Sequence, residues 1–219
     1  MSKAGTSKGA FSNVDEAAAV VYAVDHGAKI LNLSIGGPHT STTERRAIRY
    51  AVRHGALVVA AAGNDYAFGN PVEYPAALLQ PVGSDGAGGI GLAVAASTES
   101  GGRAPFSSTG SWVSLAAPGE NVFGDLSALS SPLLYPRSLL PGSRAGVYGY
   151  GSGTSFAAPQ VAGAAALVWG ADPALTARQV ALILEQTASG AGAWSPELGY
   201  GVIDTAAAVA SAQAAAAVP

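Results

Sequence analysis

Two nine-residue segments of the sequence repeat each other, and they constrain the fold more than any other feature. Residues 23–31 read Ala-Val-Asp-His-Gly-Ala-Lys-Ile-Leu, and residues 51–59 read Ala-Val-Arg-His-Gly-Ala-Leu-Val-Val. In both, His and Gly end an apolar-periodic helix, because Gly tolerates the left-handed conformation after a helix and His suits the negative end of its dipole. Residues 29–35 and 56–62 are then predicted to be buried parallel strands. This alternation is typical of a doubly wound α/β fold.

The rest of the chain extends this pattern over one predicted domain, residues 1–219. Ser12 or Asn13 is expected to cap the first helix, and a residue from 41 to 43 the second, with Glu44 in its first turn. The predicted fold class is α/β, with a doubly wound, mostly parallel sheet and helices on both faces. Residues 125–149 contain Pro, Gly and Ser and are predicted to be an inserted surface loop. We predict further strands at 90–96, 112–116 and 198–203, and helices at 157–167 and 176–186.

Composition excludes several classes of partner and site. The net charge is −3 and basic residues form no block, so we expect no nucleic-acid partner. Cysteine is absent, so the chain has no disulfide, thiolate metal site or cysteine nucleophile. No apolar run approaches the roughly 18 residues of a membrane span, so we expect no membrane partner. Residues 1–10 contain no apolar core of a signal peptide, and the sequence leaves the cellular location open.

The stretch 153–159, Gly-Thr-Ser-Phe-Ala-Ala-Pro, places Ser155 where a Gly-rich turn enters a helix of small residues. A hydroxyl at that point lies beside free N–H groups and the positive end of the helix dipole, which favour a developing anion. The alternative is a plain helix N-cap, a common role of serine at a helix start. The stretch resembles the nucleophile motif of the subtilases, the subtilisin-like serine proteases.

Other segments carry the same resemblance in the same order, over about residues 14–210. Residues 58–65, Val-Val-Ala-Ala-Ala-Gly-Asn-Asp, resemble the strand that ends in the family's oxyanion-hole asparagine. Residues 30–37, Ile-Leu-Asn-Leu-Ser-Ile-Gly-Gly, resemble the strand against which subtilases lay their substrate. The alternatives are a Gly-Asn turn and an ordinary strand. Shorter matches occur at 74–76, 106–110, 116–119 and 199–204.

The resemblance implies a serine endopeptidase that hydrolyses extended polypeptides through an acyl-enzyme. Ser155 would be the nucleophile, and Asn64 would stabilise the oxyanion together with the Ser155 N–H. By resemblance, small residues near the substrate strand suggest a roomy, largely apolar pocket for the residue before the cleaved bond. These segments contain no buried acidic residue that would favour a basic substrate. The implied substrate-binding residues are Leu33, Ser34, Ile35, Gly36, Ala62, Gly63 and Thr154.

Two catalytic segments of the family have no match in the sequence. Subtilases carry, before the matched region, a strand ending in an Asp-Thr/Ser-Gly motif and a helix opening with a His-Gly-Thr-His-like motif. Asp85 follows no apolar strand and is expected in a turn, His26 and His54 fit helix ends, and His39 lies in a loop. The resemblance therefore implies an N-terminally incomplete subtilase domain, with the catalytic Asp and His supplied by an N-terminal segment or a second chain. Alone, the chain is expected to be inactive, with an exposed apolar sheet edge that favours aggregation or complementation.

Three other interpretations remain open on the sequence. The chain could be a non-catalytic, peptide-binding pseudoprotease, or one half of a split enzyme. Residues 86–91 match the spacing of a dinucleotide-binding fingerprint, but a strand-like run follows them where a helix should open. Many subtilases bind calcium, but no ligands for it can be assigned here, so we expect no cofactor and assign no metal residues.

Overall fold

A four-stranded parallel sheet forms the centre of the protein. The computed structural model describes residues 12–125 and 148–217. Strands β1 (Ile30–Leu33), β2 (Leu57–Ala61), β3 (Leu92–Ser97) and β4 (Leu115–Pro118) lie side by side in chain order. Ile30 pairs with Leu57 and Val59 with Leu92, so the strands are nearly in step and their carboxyl ends meet at one edge. The predicted α/β fold with a parallel sheet is confirmed.

Six helices cover the two faces of this sheet. On one face, α1 (Asn13–Asp25), α2 (Thr42–Arg53) and the short α3 (Ala76–Leu79) share a core with side chains such as Val58 and Ala93. On the other face, α4 (Thr154–Ala171), α5 (Ala177–Thr187) and α6 (Thr205–Ala216) share a core with side chains such as Val59 and Val94. Alternate residues of each strand therefore point into different cores, as a doubly wound sheet requires.

The helix boundaries follow the capping signals of the sequence. Ser12 caps α1, since its Oγ accepts a hydrogen bond from the Val14 N–H at 3.1 Å. Ser41 caps α2 in a reciprocal capping box with Glu44. The repeated His residues behave alike: the Nδ1 atoms of His26 and His54 bond carbonyls one turn earlier, at 2.7 Å and 2.9 Å. Both histidines thus serve the helix ends, as predicted.

Two predicted strands differ from the structure. The strand expected at 112–116 begins only at Leu115. Residues 198–203 form no strand; Val202 makes an isolated parallel bridge to Ala116, and Gly199 makes an isolated antiparallel bridge to Ser195. The reason lies in the backbone, because Gly199 and Gly201 adopt positive φ angles of 59° and 108°, which interrupt an extended chain.

The ends of the predicted inserted loop form a strand pair. Strands β5 (Val122–Asp125) and β6 (Tyr148–Gly151) are antiparallel, with Asp125 opposite Tyr148. Residues 126–147, which make up most of the loop predicted at 125–149, lie outside the described residues. β6 leads directly to the start of α4, so this pair positions the segment that contains Ser155.

One edge of the parallel sheet is unpaired within the part of the chain that the structure describes. β1 contacts β2 on one side only. The Leu57 N–H donates to the Lys29 carbonyl, so the backbone of Lys29 faces β2. Because successive residues of a strand direct their N–H and carbonyl groups to opposite sides, those of Ile30 and Asn32 face the unpaired side. Leu31 on this strand is nevertheless buried. None of the described helices is long and apolar enough to cross a membrane.

Candidate active site

Ser155 lies in the first turn of α4, at the edge where the parallel strands end. No side chain caps this helix at Gly153. The Thr154 N–H is bonded by Asn64, whereas the Ser155 N–H has no acceptor among the described residues. An unpaired N–H at a helix start is a donor for an anion. Ser155 therefore combines a hydroxyl and a free backbone donor in one residue.

Two reciprocal hydrogen bonds join Ser155 to the end of β1. The Ser155 hydroxyl donates to the Ser34 carbonyl at 3.3 Å, and the Ser34 hydroxyl donates to the Ser155 carbonyl at 2.9 Å. Asn32 supports the pair, because its Nδ2 donates to the Ser34 hydroxyl at 2.9 Å. The predicted nucleophile and the predicted substrate strand are thus in direct contact, although they are far apart in the sequence.

Asn64 is held at the start of α4 by Thr154. Its Oδ1 accepts hydrogen bonds from the Thr154 N–H at 2.8 Å and from the Thr154 hydroxyl at 3.0 Å. The same hydroxyl accepts the Gly63 N–H at 3.2 Å, and Thr154 is fully buried. With Oδ1 fixed, the Asn64 Nδ2 has no acceptor within the described residues and remains available as a donor beside Ser155.

A buried serine supports the turn that contains Asn64. The Ser108 hydroxyl accepts the Asp65 N–H at 3.2 Å, and the Ser108 N–H donates to the Gly63 carbonyl at 2.9 Å. Gly63 has a φ of +113°, and a Cβ there would lie 2.4 Å from the Glu73 Cγ. Only glycine fits this position, because both the backbone conformation and the space exclude a side chain.

The segment after β1 offers free backbone to a ligand. Gly37 forms an antiparallel bridge with Tyr74, through bonds of 3.1 Å and 2.9 Å. Between this bridge and Ser34, the N–H and carbonyl groups of Ile35 and Gly36 have no backbone partner among the described residues. An extended peptide can pair with such a segment by main-chain hydrogen bonds.

These groups surround one small cavity of about 150 Å³. Six of the nine predicted site residues line it, and Ser34 contacts one of them, Ser155, through the two hydrogen bonds described above. Leu33 and Ala62 do not line it: Leu33 packs against the core on the α1 face, and Ala62 is fully buried in a separate apolar cluster. Their substrate-binding role stays a prediction. The cavity is lined by Ile35, Gly36, Ala61, Gly63, Asn64, Asp65, Glu73, Thr154 and Ser155.

The structure adds two carboxyl groups that sequence reasoning missed. Glu73 is 3% exposed and lines the cavity together with Asp65. The pKa of Glu73 is raised to about 7, first by its burial and then by a hydrogen bond with Asp65 and the charge of Asp65. The sequence predicted a roomy, largely apolar pocket, whereas this cavity measures about 150 Å³ and is lined by two carboxyl groups. Glu73 directly precedes one of the shorter matched segments, residues 74–76, and that adjacency was the available signal.

The cavity thus has two ends of different chemistry. One end, which we call the catalytic end after the roles predicted for Ser155 and Asn64, presents a hydroxyl and two N–H donors that have no acceptor among the described residues. The acidic end, formed by Glu73 and Asp65, presents carboxyl groups. No histidine lines the cavity; His39 lies exposed in the loop after Gly37. Within residues 12–125 and 148–217, no three His, Asp or Glu side chains are grouped as a metal site would require.

Comparison with known proteins gives a consistent result. The family model of the subtilase family matches residues 1–201. Subtilisin of Bacillus pumilus is 35% identical over 195 residues, which cover 86% of this chain and 59% of that protein. Subtilisin amylosacchariticus of Bacillus subtilis subsp. amylosacchariticus is 35% identical over 176 residues, covering 78% of this chain and 38% of its own length. The chain therefore spans less than two thirds of the length of these curated relatives.

Solved structures agree with this comparison. Fervidolysin from Fervidobacterium pennivorans, a keratinolytic enzyme related to subtilisin, superposes with a TM-score of 0.74 at 32% identity, over 92% of this chain and 29% of its own. A protease from Pseudoalteromonas arctica superposes with a TM-score of 0.70 at 31% identity, over 92% of this chain and 59% of its own. The family match, the relatives and the shared fold agree with the motifs around Ser155 and Asn64, and the chain belongs to the subtilase family.

Proposed function

We propose that this chain provides the nucleophile, the oxyanion hole and the substrate strand of a serine endopeptidase. The observation that supports the proposal best is the grouping of the Ser155 hydroxyl, the free Ser155 N–H and the free Asn64 Nδ2 around one cavity. Acyl transfer needs a nucleophile and preorganised donors at the position where the oxyanion forms. The open backbone of Ile35 and Gly36 supplies the surface on which an extended polypeptide would lie.

The proposed reaction follows from these positions. A peptide paired with Ile35 and Gly36 brings its carbonyl carbon to the Ser155 Oγ. Oγ attacks that carbon, the hydroxyl proton passes to a base, and the carbonyl electrons move onto the oxygen, which accepts the Asn64 and Ser155 N–H bonds. Return of the proton to the departing amine breaks the peptide bond and leaves an acyl ester on Ser155. Water then hydrolyses the ester by the same steps.

None of the described groups that contact Ser155 can act as the base for this reaction. The Ser155 hydroxyl donates to the Ser34 carbonyl, which cannot accept a proton in catalysis. His26 and His54 are engaged at helix ends, and His39 does not line the cavity. We propose that an N-terminal segment or a second chain contributes the His and the orienting Asp. We expect such a segment to pair with the open side of β1, the edge strand that leads to Ser34.

Without a catalytic base, we expect the isolated chain to have almost no activity. In subtilisin, removal of the catalytic histidine alone lowers turnover by about 10⁶, nearly as much as removal of the whole triad. The oxyanion hole and substrate binding alone leave about 10³–10⁴ over water in that enzyme. A non-catalytic peptide-binding role is the second candidate. The observation that favours it is that no histidine among the described residues lines the cavity beside Ser155.

Labelling of Ser155 tests the proposal directly. The 219-residue chain is treated with a fluorophosphonate, alone and after fusion to the Asp- and His-bearing segments of a subtilisin, and intact mass is measured. We expect negligible labelling alone and stoichiometric labelling after complementation. Ser155→Ala should abolish the label, whereas Ser100→Ala, at an exposed serine, should retain it. A folded, complemented chain without any label would favour the peptide-binding role, and labelling of the isolated chain would show that a base is already present.

A further inference from the structure

Glu73 is a buried acid placed beside the proposed cleavage site. Its Oε2 lies next to Gly36 on the substrate strand, where an added Cβ would stand 3.2 Å away. Its Cγ lies closer still to Gly63, which precedes the oxyanion donor Asn64; an added Cβ there would stand 2.4 Å away. The two glycines therefore leave the space that the Glu73 side chain occupies beside the cavity. The carboxyl group lines the same cavity as Ser155.

No positive charge within the described residues compensates Glu73. The groups that perturb it are its burial and the neighbouring Asp65, and both raise its pKa. The Arg103 guanidinium lies 3.8 Å above the Tyr66 ring, and its Nη1 donates to the carbonyls of residues 104, 105 and 107. A buried carboxyl group without a cation is unusual, because ionisation in a low-dielectric site is unfavourable unless a counter-charge is present.

The substrate geometry directs one side chain toward this acid. A carbonyl carbon at the Ser155 Oγ, with its oxygen toward Asn64, belongs to the residue before the cleaved bond. That residue lies beside Gly36, since the peptide pairs with the open backbone there. Its side chain then enters the cavity that Glu73 and Asp65 close at the other end. At about 150 Å³, the cavity accommodates a single slender side chain.

We propose that Glu73 makes this protein select polypeptides with a lysine or arginine immediately before the cleaved bond. The inference rests on the proposed function, because it takes Ser155 as the nucleophile. The basic group would meet the Glu73 carboxylate inside the cavity, with Asp65 adding negative charge. A neutral side chain of equal length would leave that carboxylate without a counter-charge and would bind less well.

Matched peptides test this selection without requiring catalysis. The full chain is titrated by calorimetry at pH 8 with acetyl-Ala-Ala-Ala-Lys and acetyl-Ala-Ala-Ala-norleucine, which differ in the terminal ammonium group and have no bond left to cleave. We expect the lysine peptide to bind tighter by on the order of tenfold to a hundredfold, the range of a close charge pair. Glu73→Gln should remove this preference, and Glu99→Gln, at an exposed residue, should retain it.

The outcomes separate this inference from the proposed function. Equal binding of the two peptides would overturn the role of Glu73 while leaving the protease proposal intact. Failure of both peptides to bind, together with no phosphonate label after complementation, would overturn both. If Glu73→Gln fails to fold, the unmutated chain supplies the test: its preference for lysine must be larger at pH 8 than at pH 6, because the facing groups are the Glu73 and Asp65 carboxyls. A preference that is absent at pH 8 would overturn the inference.

Discussion

The catalytic end and the acidic end of the cavity are close together, but their functional groups are held in place in different ways. At the catalytic end, neutral groups are held in place by hydrogen bonds, as when Thr154 fixes Asn64. At the acidic end, Glu73 is confined by burial and carries no compensating cation among the described residues. Hydrogen-bond donors act on any peptide carbonyl, whereas a carboxylate acts on one kind of side chain. The comparison therefore predicts that one end determines rate and the other determines substrate choice.

Loss of the proposed nucleophile is the strongest test of the catalytic end. In the complemented chain, Ser155→Ala should lower kcat by on the order of 10⁶, the magnitude measured in subtilisin. The loss should be equal for substrates with lysine and with norleucine before the cleaved bond. Turnover of a matched pair of peptide substrates measures it, with Ser100→Ala as the control. Residual activity above about a thousandth would indicate another nucleophile.

Loss of the proposed oxyanion donor should have the next largest effect. Asn64→Ala should lower kcat by about 10²–10³, as for the corresponding donor in subtilisin, again equally for both substrates. It should also lower the Tm, because the buried Thr154 N–H and hydroxyl lose their acceptor. Asn13→Ala, far from the cavity at the start of α1, serves as the control. A loss confined to the lysine substrate would contradict the division between the two ends.

The preference for lysine should depend on pH, because the acidic end contains carboxyl groups, whereas the N–H donors of the catalytic end do not titrate. Because the pKa of Glu73 is raised to about 7, its carboxyl is mostly neutral at pH 6 and mostly ionised at pH 8. A lysine substrate stays protonated throughout this range. The ratio of kcat/KM for lysine over norleucine should therefore rise several-fold from pH 6 to pH 8. Using the ratio cancels the titration of the catalytic base, and Glu73→Gln should give a flat ratio. A ratio that falls with pH would contradict the assignment.

A second buried carboxyl group, Glu16, provides a comparison without a cavity. Glu16 lies in α1 with both carboxyl oxygens buried and without a hydrogen-bond partner among the described residues. Burial, followed by the charge of Glu44, raises its pKa to about 7. The folded state therefore holds this proton more tightly than the unfolded state does, so the free energy of unfolding decreases as pH rises from about 4.5 to about 7.

Replacement of Glu16 should thus change stability and leave specificity unaltered. Glu16→Leu should raise the free energy of unfolding at pH 8 by about 1–3 kcal/mol, with a smaller gain at pH 4.5. Urea unfolding at both pH values measures this, with the exposed Asp15→Asn as the control. The lysine-to-norleucine ratio should not change. A changed ratio would mean that a carboxyl group that does not line the cavity influences substrate choice, which would contradict the role given to Glu73.

Local sequence signals predicted most of the secondary structure. Ser12, Ser41 and Glu44 mark helix starts because capping depends on groups two or three residues away. The repeated His-Gly pairs mark helix ends for the same reason. The failure at 198–203 is also instructive, since an apolar run resembles a strand although its glycines adopt positive φ angles against β4. Such angles depend on the packing partner and are not evident in the sequence.

The sequence by itself determined the alternating helices and strands, the subtilase resemblance, and Ser155 and Asn64 as candidate catalytic residues. These follow from periodicity and from short motifs, which are local. Only the tertiary structure decided what surrounds those residues: the reciprocal bonds of Ser155 with Ser34, and the placement of Glu73 at the end of the cavity. The physical reason is that four segments converge there: the segments that follow β1 and β2, the loop that contains Glu73, and the start of α4. The burial and the pKa of Glu73 depend on that convergence, so the sequence alone could not predict that Glu73 lies at the candidate site.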